Sequence, residues 1–417
     1  MEDIKHVPLL ILGGGISGMG AAFNAYKRQC EFLLIEAKSG LGGCLQSIDI
    51  NGHTLDIGAN SCVISEDFEA FLYHLGLKDD ILKPTAQSKK RYLFNNNKIV
   101  PVRGIKDILG ASWLSIGAKL RFASEPLHKK GPAEDESVAS FLSRRIGKIA
   151  TEKLAEPVLG GIYAGDIHYL SAAAVLEKLK KGEQENGSLL RTLMKDPPRP
   201  RKIINLKGGF TTIGVAFKEK FESQIKLNTL IQDIENIDSG YLIKTNNGYY
   251  SCDKLISTLP AYVFARLIKG DIQTHLKKLK YERLSVSHFA ETPGKQYPDG
   301  FGILVPSYCN MKVKGVLFTS SIFKGRAPKG MRNITVFHKG VDWVSIEEEL
   351  NTIIGNNPRQ FLHNYHWEKA IPQPHVGFPQ WKNELLENLP KDLLLAGNYL
   401  GKVGVADAFS SGYDLKI

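Results

Sequence analysis

The chain has 417 residues, 43% of them apolar and 23% charged, an ordinary globular balance in a length that exceeds what one hydrophobic core usually holds. Its 54 Lys and Arg against 43 Asp and Glu leave a net charge of +11, which suits nucleic acid, anionic lipid or a polyanionic substrate. No recognition motif and no dense basic run accompanies that charge, so nucleic acid is excluded as the expected partner.

The chain opens with an apolar run, Val7 to Leu12, then Gly13-Gly14-Gly15-Ile16-Ser17-Gly18, a small-residue helical pattern, and a second apolar run ending at Glu36. That order is strand, turn, helix, strand, the setting in which a glycine triplet binds a dinucleotide. Gly13 permits the tight turn, Gly15 lets backbone N–H groups reach a pyrophosphate, and Gly18 lets the helix press on the sheet, with Ile16 and Ser17 opening that helix. Glu36 stands where a carboxylate accepts hydrogen bonds from ribose hydroxyls and disfavours a 2′-phosphate; Ala37 follows it. Next come Gly42-Gly43 and the turn Asp56-Ile57-Gly58-Ala59.

Residues 66–77 predict a helix with Phe68, Phe71, Leu72 and Leu75 on one stripe, and residues 87–102 predict a hairpin turning at Asn95-Asn96-Asn97. Across residues 106–122, Leu109, Trp113, Ile116 and Leu120 fall at helical spacing beside Lys106, Lys119 and Arg121. Such a helix either packs on a core or lies in a membrane interface. Ser137 predicts the cap of a helix ending near Ile146. The segment 156–174 carries two glycine turns and aromatics that suit a site lining better than a plain helix, and the proline-rich 191–201 predicts a connector. Residues 203–217 predict strand, glycine turn and helix; 225–256 predict strands turning at Asn246-Asn247-Gly248; 284–344 predict a sheet of short strands. A buried strand ends at Thr258 and Pro260, another near Gly397, and Gly404-Val405-Ala406-Asp407 starts the last helix.

The double glycine soon after the ribose acid and the following Asp-x-Gly-Ala turn resemble the flavin amine oxidase superfamily, which favours FAD over NAD. Within it, residues 12–22, 156–171 (EPVLGGIYAGDIHYLS), 300–306 (GFGILVP), 318–330 (FTSSIFKGRAPKG), 371–377 (IPQPHVG) and 396–412 (AGNYLGKVGVADAFSSG) are similar, in family order, to protoporphyrinogen oxidases. Two departures stand out: Cys44 replaces the basic residue often found after the double glycine, and Gly58-Ala59-Asn60 replaces a turn with proline and a charged group.

The resemblance implies an α/β fold: a Rossmann-like FAD-binding domain assembled from residues 1–85, 203–260 and 378–417, a mostly helical, membrane-associating insert at 86–202, and a mixed-sheet substrate domain at 261–377. It implies FAD held by Gly13, Gly15, Ile16, Ser17, Gly18, Glu36, Ala37, Gly42, Gly43, Gly58, Ala59, Thr258, Gly397, Val405 and Ala406. It implies a porphyrinogen held by Arg91, Ile162, Tyr163, Ala164, Phe301 and Leu304, six electrons removed in three steps, dioxygen as acceptor and hydrogen peroxide as product. Protoporphyrinogen IX leads, coproporphyrinogen III is the alternative, and an amine or sugar-nucleotide oxidoreductase of the same fold is more distant.

A propionate calls for a guanidinium, and the hydride chemistry calls for positioning more than for an acid or base, so no residue is singled out as acid, base or nucleophile. Asp407 reads either as a site group or as an ordinary helix-start acid. No metal is expected: His363, His366 and His375 are spread around prolines, and the five cysteines, Cys30, Cys44, Cys62, Cys252 and Cys309, form no C-x-x-C pair. Their odd number argues against a disulfide framework. Residues 1–6 lead straight into the first strand and no apolar run reaches bilayer length, so the expected location is the cytoplasm, free or at the inner face of the cell membrane. Oligomeric state stays open, a homodimer included.

Overall fold

The computed structural model describes residues 4–102, 114–197, 201–294 and 298–417. The strand Ile4–Leu12 is the centre of the first sheet, with parallel neighbours Phe32–Ile35 and Gly248–Ser257. Leu9 to Leu12 are all buried, as a continuous apolar run covered on both faces requires. Ile225–Lys226 extends one side, Gly240–Thr245 and Ile231–Ile237 the other, and Leu393–Leu395 pairs beside the end of Gly248–Ser257. The sheet is therefore assembled from segments at both ends and the middle of the chain.

The helix Ile16–Lys27 packs on this sheet, and the closing helix Val405–Tyr413 packs on it in turn. Their backbones nearly touch: a Cβ on Gly20 would lie 2.4 Å from Phe409 O, and one on Gly412 would lie 2.0 Å from Ser17 O. Phe23, Phe68, Phe71, Phe217 and Phe409 fill the core around that contact.

The second sheet runs in the order Arg359–Gln373, Lys280–Glu291, Arg332–His338, Val313–Leu317, Gly302–Leu304, Arg91–Asn95, Lys98–Pro101. It is antiparallel except where Gly302–Leu304 pairs in parallel with Arg91–Asn95. The hairpin at 91–101 thus forms the edge of this sheet rather than part of the helical insert. Its Asn96 and Asn97 take φ of 49° and 56°, the left-handed pair that suits the strand twist.

Between the sheets lies a helical region that includes Val138–Ile146, Glu156–Tyr163, Glu177–Asn186 and Leu189–Lys195. Ser137 caps the first of these, its hydroxyl accepting from Ser140 N. Two expectations are corrected here. Residues 156–163 form one helix through Gly160 and Gly161, ending at Ala164 in the left-handed conformation, and 189–195, expected in part as a connector, are helical. Gly161 packs closely on the second sheet, where a Cβ would stand 3.1 Å from Leu304 Cδ2, whereas a Cβ on Gly160 would meet only Glu156 Oε1 at 3.5 Å. Of the expected helix at 106–122, Ile116–Ala123 is helical, capped by Ser115; Lys106, Leu109 and Trp113 lie outside the described residues, as do 198–200.

Six charged groups brace this region. Arg145 and Glu125 form a buried pair, Arg144 bridges Glu136 and Glu183 at 2.6 and 2.5 Å, and Lys180 reaches Glu136 at 2.7 Å. Burial works to raise the Glu136 carboxyl, but the Arg144, Lys180 and Ser140 donors outweigh it and bring the group down to about 2. A second buried pair ties the two-stranded hairpin Ser47–Asp56 to the turn before Arg332–His338: Arg326 and Asp56 meet, with Asn205 donating to Asp56 at 2.8 Å and Ser47 at 2.5 Å.

Because the folded Glu136 carboxyl sits below its ordinary value of 4.5, its contribution to stability is complete above that value and disappears as pH falls toward 2. The melting temperature is expected to drop over that interval, and Glu136→Gln to flatten the drop; thermal denaturation against pH checks both. Arg326→Ala leaves Asp56 buried and unpaired and is expected to cost about 3–5 kcal/mol in denaturant unfolding.

Candidate active site

The glycine turn is built from backbone alone. Gly13, at φ +98°, donates to Ile35 O at 2.8 Å, and a Cβ on Gly18 would come within 1.9 Å of Gly13 O. Gly15 caps the helix Ile16–Lys27 in extended conformation, with no side-chain cap and no acid in the first turn. Its outer side is open: a Cβ there would meet nothing nearer than Gly43 Cα at 4.0 Å. An uncapped helix start with free backbone approach fits a diphosphate.

Gly42 donates to Gly14 O at 2.8 Å and forms a bridge with Gly15, and Gly43 follows at φ +61°, so the double glycine closes over the turn. Glu36 is half-buried; Oε2 accepts from Gly14 N at 2.7 Å and Oε1 from Lys38 N at 2.9 Å, which aims the carboxylate beside the turn, next to exposed Ala37. Gly58 lies against the same layer, where a Cβ would meet Cys44 O at 1.8 Å, and Ala59 is half-buried beside it.

Not every expected side chain faces a ligand. Ser17 donates to Ala408 O at 2.7 Å, and Thr258 reaches Leu12 O and Gly13 O, each at 2.9 Å, so these hydroxyls brace the turn from behind. Ile16 is buried. Gly397, at φ +149°, donates to Ser411 Oγ, which ties its strand end to the closing helix. Of the closing helix, Val405 is half-buried, and the buried Ala406 gives its backbone N–H to the Cys62 thiol. Burial pushes that thiol up to about 12, so it stays protonated.

At the substrate side, Arg91 pairs across the sheet with Gly302, and its guanidinium lies 5.1 Å over the Phe301 ring. Among the described residues no carboxylate pairs with Arg91. Leu304, two residues on, is half-buried under the helix Glu156–Tyr163. Ile162 is 47% exposed, whereas Tyr163 and Ala164 are buried, Tyr163 within the apolar cluster of the helical region, against which Ile371 and Val403 also pack. Tyr163 and Ala164 therefore support the helix end and do not present a wall. Burial first, and the Asp407 charge second, raise the Tyr163 hydroxyl, which places the end of this helix near the start of the closing helix.

The sequence reading missed the strand Arg359–Gln373. His363, Tyr365 and Trp367 line one half-exposed face of it, Tyr365 and Trp367 with ring centroids 4.6 Å apart, and Trp367 donates its indole N–H to Ile57 O at 2.9 Å. Alternating aromatics along this strand were the available signal. The expected absence of a metal concerns residues now described: among them no group of three or more His, Cys, Asp or Glu could hold an ion.

This arrangement defines a dinucleotide-binding oxidoreductase. The family model for flavin containing amine oxidoreductase matches residues 16–414, and the chain belongs to that family, with FAD as its cofactor. The chain is 27% identical to protoporphyrinogen oxidase 1, chloroplastic, of Arabidopsis thaliana, over 98% of this chain and 87% of that one. It is 26% identical to coproporphyrinogen III oxidase of Bacillus subtilis (strain 168), over 98% and 96%. In fold it is similar to a crystal structure from Exiguobacterium sp. 255-15 (TM-score 0.85, 23% identity, 99% and 98% covered) and to reduced UDP-galactopyranose mutase (TM-score 0.75, 19% identity, 98% and 94% covered).

Gly18→Ala is expected to abolish flavin incorporation, since the methyl would overlap Gly13 O. Glu36→Ala is expected to weaken FAD binding about tenfold by removing a charge-assisted ribose contact. Titration of FAD-free protein, read by flavin fluorescence, measures both.

Proposed function

We propose that this chain oxidises a porphyrinogen to the porphyrin, removing six electrons in three two-electron steps, with dioxygen as acceptor and hydrogen peroxide as product. The observation that carries the reading is the unpaired Arg91 guanidinium stacked on Phe301, at the edge of an apolar surface made by Leu304 and Ile162. An apolar disc bearing propionates matches that combination, and Arg binds a carboxylate in bidentate fashion. Bound FAD supplies the two-electron acceptor. The chain's residues bind the disc edge through Arg91, orient it between Phe301 and Ile162, and exclude water through the helix Glu156–Tyr163.

Protoporphyrinogen IX is the leading substrate and fits haem biosynthesis. Coproporphyrinogen III is supported by the similarity to the Bacillus subtilis relative and by exposed Lys89 and Lys90 beside Arg91, which would serve additional propionates.

We further propose peripheral membrane association at the inner face of the cell membrane. Ile116 and Leu120 are 76% and 65% exposed on one helix and Leu127 is 82% exposed just after it, with Lys119 among them. No helix among the described residues is long and apolar enough to cross a membrane.

Initial rates with the two porphyrinogens, read by product fluorescence and by three peroxides per porphyrin, test the activity; no porphyrin from either refutes it. Arg91→Ala is expected to raise KM about tenfold or more with FAD retained, and an unchanged KM removes Arg91 from the site. Flotation with anionic vesicles at low salt is expected, and is expected to fall when Ile116 and Leu120 are changed to Ser.

A further inference from the structure

We propose that Trp367 is a positioning residue for the flavin, acting through the segment Ile57-Gly58-Ala59. The inference rests on FAD as the cofactor and not on the identity of the substrate. Trp367 lies on the second sheet, opposite Leu284, yet its indole N–H donates to Ile57 O in the first half of the molecule at 2.9 Å. From there contact is continuous to the glycine turn. Ile57 N donates to Gln46 O at 3.0 Å; Gly58 rests on Cys44 O so closely that a Cβ would lie 1.8 Å from it; Gln46 Nε2 donates to Gly43 O at 2.8 Å; and Gly43 lies over Gly15.

The ring is itself held in place. Tyr365 packs beside it, the rings tilted at 52° with centroids 4.6 Å apart, and its strand meets the turn Asn398–Leu400 that follows Gly397. The face is half-exposed, so the indole lies at a surface and not in a sealed core. One hydrogen bond from the second sheet thereby sets the height of the backbone at Gly58 and Ala59, both among the expected FAD contacts, and so couples the seating of the two halves to the cofactor. Trp343 is the natural comparison, because it stacks on Phe361 at 4.2 Å within the opposite-face core.

The test begins with FAD titration of the FAD-free wild type, so that failure there refutes the cofactor and not this proposal. Trp367→Phe keeps the aromatic body and removes the donor. It is expected to raise the FAD dissociation constant about five- to tenfold, the size of one hydrogen bond. It is also expected to shift the visible flavin band and to reduce the tryptophan quenching expected on FAD addition to the wild type, while the FAD-free protein melts as before. Trp343→Phe is expected to leave FAD affinity and the flavin spectrum unchanged. Trp367→His retains a ring N–H and is expected to recover part of the affinity. Unchanged affinity and spectrum in Trp367→Phe overturn the proposal. So does loss of the FAD-free protein's cooperative melt in both Trp367 variants, which would make the residue a determinant of the fold alone.

Discussion

The buried pair between Asp56 and Arg326 is the constraint on which the rest of the molecule depends. Both groups are almost wholly out of water, and such a pair is tolerable only when its remaining hydrogen-bonding positions are filled. Most of them are filled here: Ser47 and Asn205 bond the carboxylate and Arg326 Nη1 reaches Asn205 Oδ1 at 3.4 Å, while the backbone Arg326 O accepts from Thr54 N at 3.0 Å and from Asn333 Nδ2 at 2.5 Å; Arg326 Nε has no partner among the described residues. Asp56 belongs to the hairpin Ser47–Asp56 that precedes Gly58, and Arg326 to the turn before the strand Arg332–His338. Any other placement of that hairpin against that turn would strand an unpaired charge, so the pair specifies one relative placement more than it adds net stability.

That placement matters in an FAD-dependent oxidoreductase, where the cofactor carries the electron-transfer chemistry and the chain supplies binding and orientation. The titratable groups of the second sheet agree with this. Burial pushes His288 down to about 3 and His338 down to about 4, so both are neutral at ordinary pH, and each is held by a hydroxyl, Thr335 for His288 and Ser287 for His338. Buried thiols are pushed the other way, Cys252 to about 12 as well as Cys62, and remain protonated. The Arg91 guanidinium, over the Phe301 ring, has no carboxylate partner among the described residues.

The helical region solves a different problem. It joins the edge of the second sheet, at Leu304, to the start of the closing helix, near Asp407, through a single short helix whose Gly161 allows backbone to approach side chain. Its own body is held by an apolar cluster that includes Phe141, Leu142, Leu159, Ile167 and Leu170 together with three acids and three bases, while Ile116, Leu120 and Leu127 remain exposed. A surface of that composition carries a cost in water that contact with another apolar phase relieves.

The sequence by itself determined the glycine turn, the ribose acid, the flanking strands and the flavoprotein class, because a strand-turn-helix-strand unit is specified by residues close together in the chain. It also determined the Ser137 cap and the Asn96-Asn97 turn, which are equally local. Tertiary structure alone decided which side chains reach the site. Ser17 and Thr258 turned away because their acceptors, Ala408 O and Gly13 O, come from segments 391 and 245 residues distant. Gly161 became helical because the gain from packing on Leu304 exceeds its modest helix penalty, which no local pattern reveals. Trp367 and Arg326 were invisible for the same physical reason: each acts through one partner on a separate strand, and a lone hydrogen bond across hundreds of residues leaves no periodicity to read.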